Sequence, residues 1–91
     1  MEMEAEKQSD FIAELAAAGI LEKTRQEPGN ISYELFVPVC GPGSLCMVER
    51  WEGPEHLPGH MAGENFKAMS ALGEKYGVRN DVKVYQAKAL K

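Results

Sequence analysis

The chain opens on an alternation. Met1, Met3 and Ala5 interleave with Glu2, Glu4 and Glu6, the period-two pattern of a short half-buried strand over residues 1–6, although glutamate is a poor strand former. Ser9 or Asp10 offers a helix cap, after which Phe11, Ile12 and Leu15 fall within about 100° on one helical face. Ile20 and Leu21 leave that stripe. The change of face coincides with Gly19, a residue that weakens a helix interior, which predicts either a break there or a helix buried on two sides. The helical region stops before Pro28-Gly29.

From Asn30 the period becomes two. Ile31, Tyr33, Leu35, Val37 and Val39 share one strand face and Ser32, Glu34 and Phe36 the other, with Pro38 marking an edge or an ending. Gly41-Pro42-Gly43-Ser44 reads as a turn into a second strand over residues 45–52, so the two form an antiparallel hairpin. Leu45, Met47, Glu49 and Trp51 share a face of that strand. Residues 53–59, rich in Pro and Gly, read as loop or a broken helical turn. Residues 61–76 then read as helix, with Met61, Phe66, Met69 and Leu72 apolar and Gly77 as the stop. Residues 81–90 set Val82 and Val84 against Lys83, Tyr85 and Ala87, which predicts a final strand.

The order strand, helix, strand, strand, helix, strand is the βαββαβ pattern of ferredoxin-like α+β folds, in which two helices cover one face of an antiparallel sheet. The other face also carries apolar groups. A chain of 91 residues forms one domain, here residues 1–91, with a thin core and nothing left to cover that face, so a sheet-to-sheet homodimer is expected.

Composition narrows the partners. Ten Lys+Arg against fourteen Asp+Glu give a formal charge of −4 and leave no basic stripe for a phosphate backbone, so no nucleic-acid partner is expected. The apolar stretches are too short to cross a bilayer, and the acidic start lacks the layout of a signal peptide, which predicts no membrane partner and a cytoplasmic protein. Cys40 and Cys46 bracket the turn, and in that compartment they read as free thiols.

Dinucleotide and nucleotide loops, CxxC, HExxH and GxSxG are all absent. His56 and His60 have the four-residue spacing of a metal pair, but Pro58-Gly59 between them favours two surface loop histidines. Glu49 lies between Met47 and Trp51 on an otherwise apolar face. A carboxylate there either serves proton transfer, faces solvent, or pairs with a lysine or arginine on a neighbouring strand. Trp51, Tyr33 and Phe66 line a flat ligand or simply pack the core. His60 serves as a base near neutral pH or caps the second helix. Asn30 bonds its own backbone in a turn or contacts a ligand.

The run from Arg25 through Glu27-Pro28-Gly29-Asn30 to Phe36, then Glu49-Arg50-Trp51-Glu52, then His60 with Phe66 six residues on, resembles the antibiotic biosynthesis monooxygenase family, including its quinol monooxygenase-like members. The resemblance implies a dimeric ferredoxin-like fold and oxygenation of quinol- or anthrone-like aromatics by molecular oxygen, with no metal, flavin or other cofactor. It makes His60 the first candidate for the base, with Glu49 as its alternative or orienting partner. Trp51, Tyr33, Phe66 and Met47 become pocket residues and Asn30 a polar contact. The sequence departs from the family in two places: the first strand is shortened to residues 1–6 at most, and Pro58-Gly59 precedes His60 where relatives are helical. Haem-degrading relatives use an asparagine of that first strand, and this chain has none before Asn30, which argues against haem as substrate. Two further readings stand beside the oxygenase: an isomerase or other proton-transfer enzyme on a small carbonyl compound, and a small-molecule-binding dimer without turnover.

Overall fold

A computed structural model describes residues 1–39 and 41–91. Cys40, one of the two expected thiols, lies outside the described residues. Cys46 is a free, exposed thiol.

Helix α1 (Gln8–Ala17) buries Phe11 and Leu15, the stripe its spacing predicts. It starts earlier than Ser9 or Asp10, with Lys7 at the cap position and no side chain capping it. The break falls at Gly19, which takes the left-handed conformation at φ 67° and lets α2 (Ile20–Thr24) turn Ile20 into the core. Thr24, fully buried, returns its hydroxyl to the Ile20 carbonyl at 2.7 Å.

Strands β1 (Asn30–Phe36) and β2 (Cys46–Trp51) pair antiparallel, Tyr33 opposite Glu49 and Leu35 opposite Met47. The expected five-residue apolar face does not hold along its length. The register slips between Asn30 and Ser32, and this irregularity leaves Ile31 60% exposed while Tyr33 and Leu35 face the helices. Val37 and Val39 lie beyond the end of β1 and are exposed.

The expected first strand is reduced to one bridging residue, because the chain turns into a 3-10 turn at Ala5–Lys7. Glu2 bridges Ser44 on one side and Arg79 on the other, exchanging backbone bonds of 2.8 and 2.7 Å with Arg79. This is the central position of the first strand in a ferredoxin-like sheet. The expected final strand over residues 81–90 does not form. Beyond the Arg79 bridge these residues pair with no described strand, and alternation without a ladder partner does not make a strand.

The second helical region is divided. Of the two readings of residues 53–59, loop or broken helical turn, the helical one holds: a 3-10 turn (Pro54–His56) runs into α3 (Leu57–Ala62), with Pro58 in the first turn, where its missing N–H goes unmissed. Helix α4 (Glu64–Lys75) follows after Gly63 and stops before Gly77, which takes φ 67° as a helix-ending glycine does. Met3, Phe11, Leu15, Ile20 and Leu45 form the core, with Met69, Leu72 and Tyr76 packed on it, so the helices cover one sheet face. Glu14 accepts from Lys75 and, at 2.6 Å, from the Tyr76 hydroxyl, tying α1 to the end of α4. These two donors, the lysine first, hold the Glu14 carboxyl below its usual range.

Candidate functional site

Alternation along β1 and β2 turns Tyr33, Met47, Glu49 and Trp51 toward the helices, and α3 and α4 lower His60 and Phe66 onto them. His60 is not a surface loop residue. It sits in the last turn of α3, 5% exposed, because Pro58 starts that helix instead of breaking it. Its ring centroid lies 4.8 Å from Trp51, 5.4 Å from Phe66 and 5.8 Å from Tyr33, the last two edge-on. The imidazole is thus ringed by three aromatic side chains from three elements.

Both ring nitrogens face carboxylates. Nδ1 lies 2.8 Å from Glu27 Oε1, and Nε2 lies 3.6 Å from Glu49 Oε1. The latter oxygen already accepts the Trp51 indole N–H at 3.2 Å. Glu49 is exposed, as the solvent-facing reading expects, and is not paired to a lysine or arginine among the described residues; its partners are Trp51 and His60. Glu27 comes from the segment between α2 and β1, and its second oxygen accepts from Asn65 at 2.8 Å. Glu27 lies in the run that carries the family resemblance but was given no role there, and Asn65 did not stand out in the sequence. His60 follows Glu27 by 33 residues, and no local spacing joins them.

Tyr33 is 3% exposed, and burial first, then the Glu49 and Glu27 charges, push its phenol above the usual tyrosine range. It stays a neutral O–H group throughout the physiological range. A cavity of about 1130 Å³ opens against these residues. Met47, Glu49, Trp51, Tyr33, His60 and Phe66 line it, and residues 80–87 form its far wall across the slot left beside β2. Asn30 does not line it. Its amide donates to the Ser32 and Arg50 carbonyls at 3.1 and 3.4 Å, bracing the irregular start of the hairpin. On the opposite side of His60 a second cleft of about 560 Å³ is lined by Glu27, His56 and Asn65. Although His56 and His60 both border that cleft, the described residues hold no cluster of three or more His, Cys, Asp or Glu arranged for a metal ion. His56 instead lies within 4.0 Å of Glu52 and Glu55.

This arrangement offers a sheltered proton acceptor beside an apolar, aromatic-walled space, the minimum that proton abstraction from an aromatic hydroxyl requires. Similar architecture occurs in a crystal structure of a Deinococcus radiodurans protein described as a putative antibiotic biosynthesis monooxygenase, with a TM-score of 0.82 and 21% identity over 99% of this chain and 88% of that one. A conserved protein from Methanosarcina mazei Go1 superposes with a TM-score of 0.71 and 27% identity over 82% of this chain and 72% of that one. A Bacillus subtilis (strain 168) protein named "Putative monooxygenase YcnE" is 27% identical over 75 residues, 82% of this chain and 77% of that protein. No helix is long and apolar enough to cross a membrane among the described residues. Residues 1–72 match the family model for antibiotic biosynthesis monooxygenase, and the chain belongs to that family.

Proposed function

We propose that the chain is a cofactor-independent monooxygenase that oxidises a quinol- or anthrone-like aromatic with molecular oxygen, His60 acting as its base. The observation that carries this reading is the buried imidazole, ringed by Tyr33, Trp51 and Phe66 and facing an aromatic-walled cavity. A hydroxyl or activated C–H of the bound aromatic gives its proton to His60. The anion left behind is electron-rich enough to pass an electron to oxygen, and recombination forms a carbon–peroxide bond. The protonated imidazole returns its proton to the peroxide; the carbon bearing it then loses its remaining hydrogen as a proton while the O–O bond breaks, and that proton joins the departing hydroxide as water, leaving a carbonyl or quinone. One oxygen atom enters the product and the other leaves as water, so the substrate itself supplies both reducing electrons. Low-polarity walls protect the anion from water, and Glu49, fixed by the Trp51 indole, faces the imidazolium as it forms.

Oxygen uptake by purified protein with a panel of reduced quinols and anthrones tests this. Uptake above the spontaneous rate is expected, with His60→Ala lowering kcat by about 10²-fold or more. Uptake that His60→Ala leaves unchanged removes the histidine from the mechanism. No uptake with any member of the panel, together with enhanced proton exchange on small carbonyl compounds, would turn the reading to an isomerase.

A further inference from the structure

We propose that Glu27 is a positioning residue that fixes the tautomer of His60, so that Nε2 presents its lone pair to the cavity. The inference rests on the reading of His60 as the base and deepens it.

A neutral imidazole carries one ring hydrogen, and the surroundings decide which nitrogen holds it. At Nδ1 the Glu27 oxygen stands at 2.8 Å, a full hydrogen bond. At Nε2 the Glu49 oxygen stands at 3.6 Å, beyond hydrogen-bond reach. The shorter contact takes the hydrogen. Glu27 cannot swing away to release it, because the Asn65 amide holds its other oxygen at 2.8 Å, and an amide N–H only donates. Titratable groups facing the ring are Glu27 from the α2–β1 connection, Tyr33 from β1 and Glu49 from β2; across the outer cleft stand Glu55, His56 and Glu64. Tyr33 is held neutral, so the ring meets opposite charge only from the carboxylates.

In the reaction the proton leaving the substrate bonds to Nε2, and the Nδ1 hydrogen stays donated to Glu27. The imidazolium returns the Nε2 proton to the peroxide, which regenerates the starting tautomer with no proton lost to Glu27. The arrangement works as a carboxylate–histidine pair in which the acid orients the ring and the substrate's proton stays on the imidazole.

The test reads the tautomer directly, with no substrate. The chain has two histidines, so the ring-nitrogen spectrum of the full-length ¹⁵N-labelled protein holds two sets of signals, and His60→Gln identifies its own. In mildly alkaline solution wild-type His60 is expected to show Nδ1 as N–H and Nε2 as the bare nitrogen. Glu27→Gln should reverse the two. Asn65 still requires an oxygen acceptor, so the glutamine amide nitrogen faces Nδ1 and donates, driving the ring hydrogen to Nε2. The same substitution should lower kcat for oxygen uptake by about 10²-fold with little change in KM. A wild-type ring that holds its hydrogen on Nε2, or stays doubly protonated, overturns the proposal whatever the variant does. A Glu27→Gln protein whose backbone spectrum is native and whose His60 tautomer is unmoved also overturns it. Tautomer reversal with undiminished uptake supports the positioning by Glu27 and sinks His60 as the base. A wrong wild-type tautomer in a protein whose uptake needs His60 overturns the role of Glu27 alone.

Discussion

Burial does more at Tyr33 than fill space. Its phenol is pushed above the usual range chiefly by loss of water and secondarily by the Glu49 and Glu27 charges, so the folded protein keeps the proton longer than the unfolded chain does. A group whose folded pKa is raised contributes stability that is intact below its unfolded value, about 10 for tyrosine, and lost as pH rises toward the folded one. Stability followed by denaturant melts is therefore expected to fall above about pH 10, and Tyr33→Phe should flatten that alkaline decline. An alkaline limb unchanged in the variant would mean that Tyr33 is not the group responsible. At this scale the candidate site was legible wherever alternation governed it: Tyr33, Met47, Glu49 and Trp51 face the helices because strand side chains alternate. Asn30 was legible only as a choice between turn and ligand, and in the fold its amide bonds the Ser32 and Arg50 carbonyls of the hairpin. Glu27 belonged to the run that carries the resemblance, but its role was illegible, since an acidic residue before Pro-Gly looks like any solvated loop charge until α3 brings His60 against it.

Two glycines separate local conformation from packing at the scale of elements. Gly77 and Gly43 both have positive φ, 67° and 86°, a conformation that costs an L-residue roughly 1–2 kcal/mol. A methyl group at Gly77 meets open space, whereas at Gly43 it would stand 2.2 Å from the Met3 carbonyl oxygen. Gly77→Ala is expected to lose only the conformational cost of about 1–2 kcal/mol. Gly43→Ala should lose more, because Met3 must move, and with it the 2.9 Å bond from its N–H to Gly43 and the Met1–Leu45 pairing. Equal losses in chemical denaturation, or unchanged exchange protection of the Met3 and Leu45 amides in Gly43→Ala, would contradict this. The helices and hairpin were readable because their patterns are local: the Gly19 break and the Gly77 stop fall where the residue type requires them. The final strand was not readable, since alternation defines two faces while a strand also needs a backbone neighbour, and that neighbour is distant in sequence. Pro58 misled for a related reason: the same residue that breaks a helix interior is at home in a first turn, and only the true start of α3 distinguishes the two.

At the scale of the whole molecule the helices leave one sheet face bare. Register assigns Glu34, Phe36, Val48 and Arg50 to that outer face, where Phe36 is 50% and Val48 40% exposed, and Val82 and Val84 of the unpaired C-terminal segment are more exposed still. The radius of gyration, 13.6 Å against roughly 12 Å for a compact chain of this length, reflects that extended segment. The core beneath is thin, as a chain this short requires, so covering the outer face with a second copy would add burial the monomer lacks. A homodimer joined through these faces, proposed on that ground, makes stability depend on concentration by mass action. Sedimentation of the wild-type chain should give twice the 10.0 kDa of one copy, with Tm rising as protein concentration rises. Phe36→Glu puts a charge on the outer face at a residue that does not line the cavity, and is expected to sediment as one copy with a lower, concentration-independent Tm. Because Leu35 beside it points the other way, the variant should retain the His60 tautomer even as it dissociates. A wild-type protein that sediments as a single copy at every concentration would remove the dimer and leave the inner site to be understood from one chain.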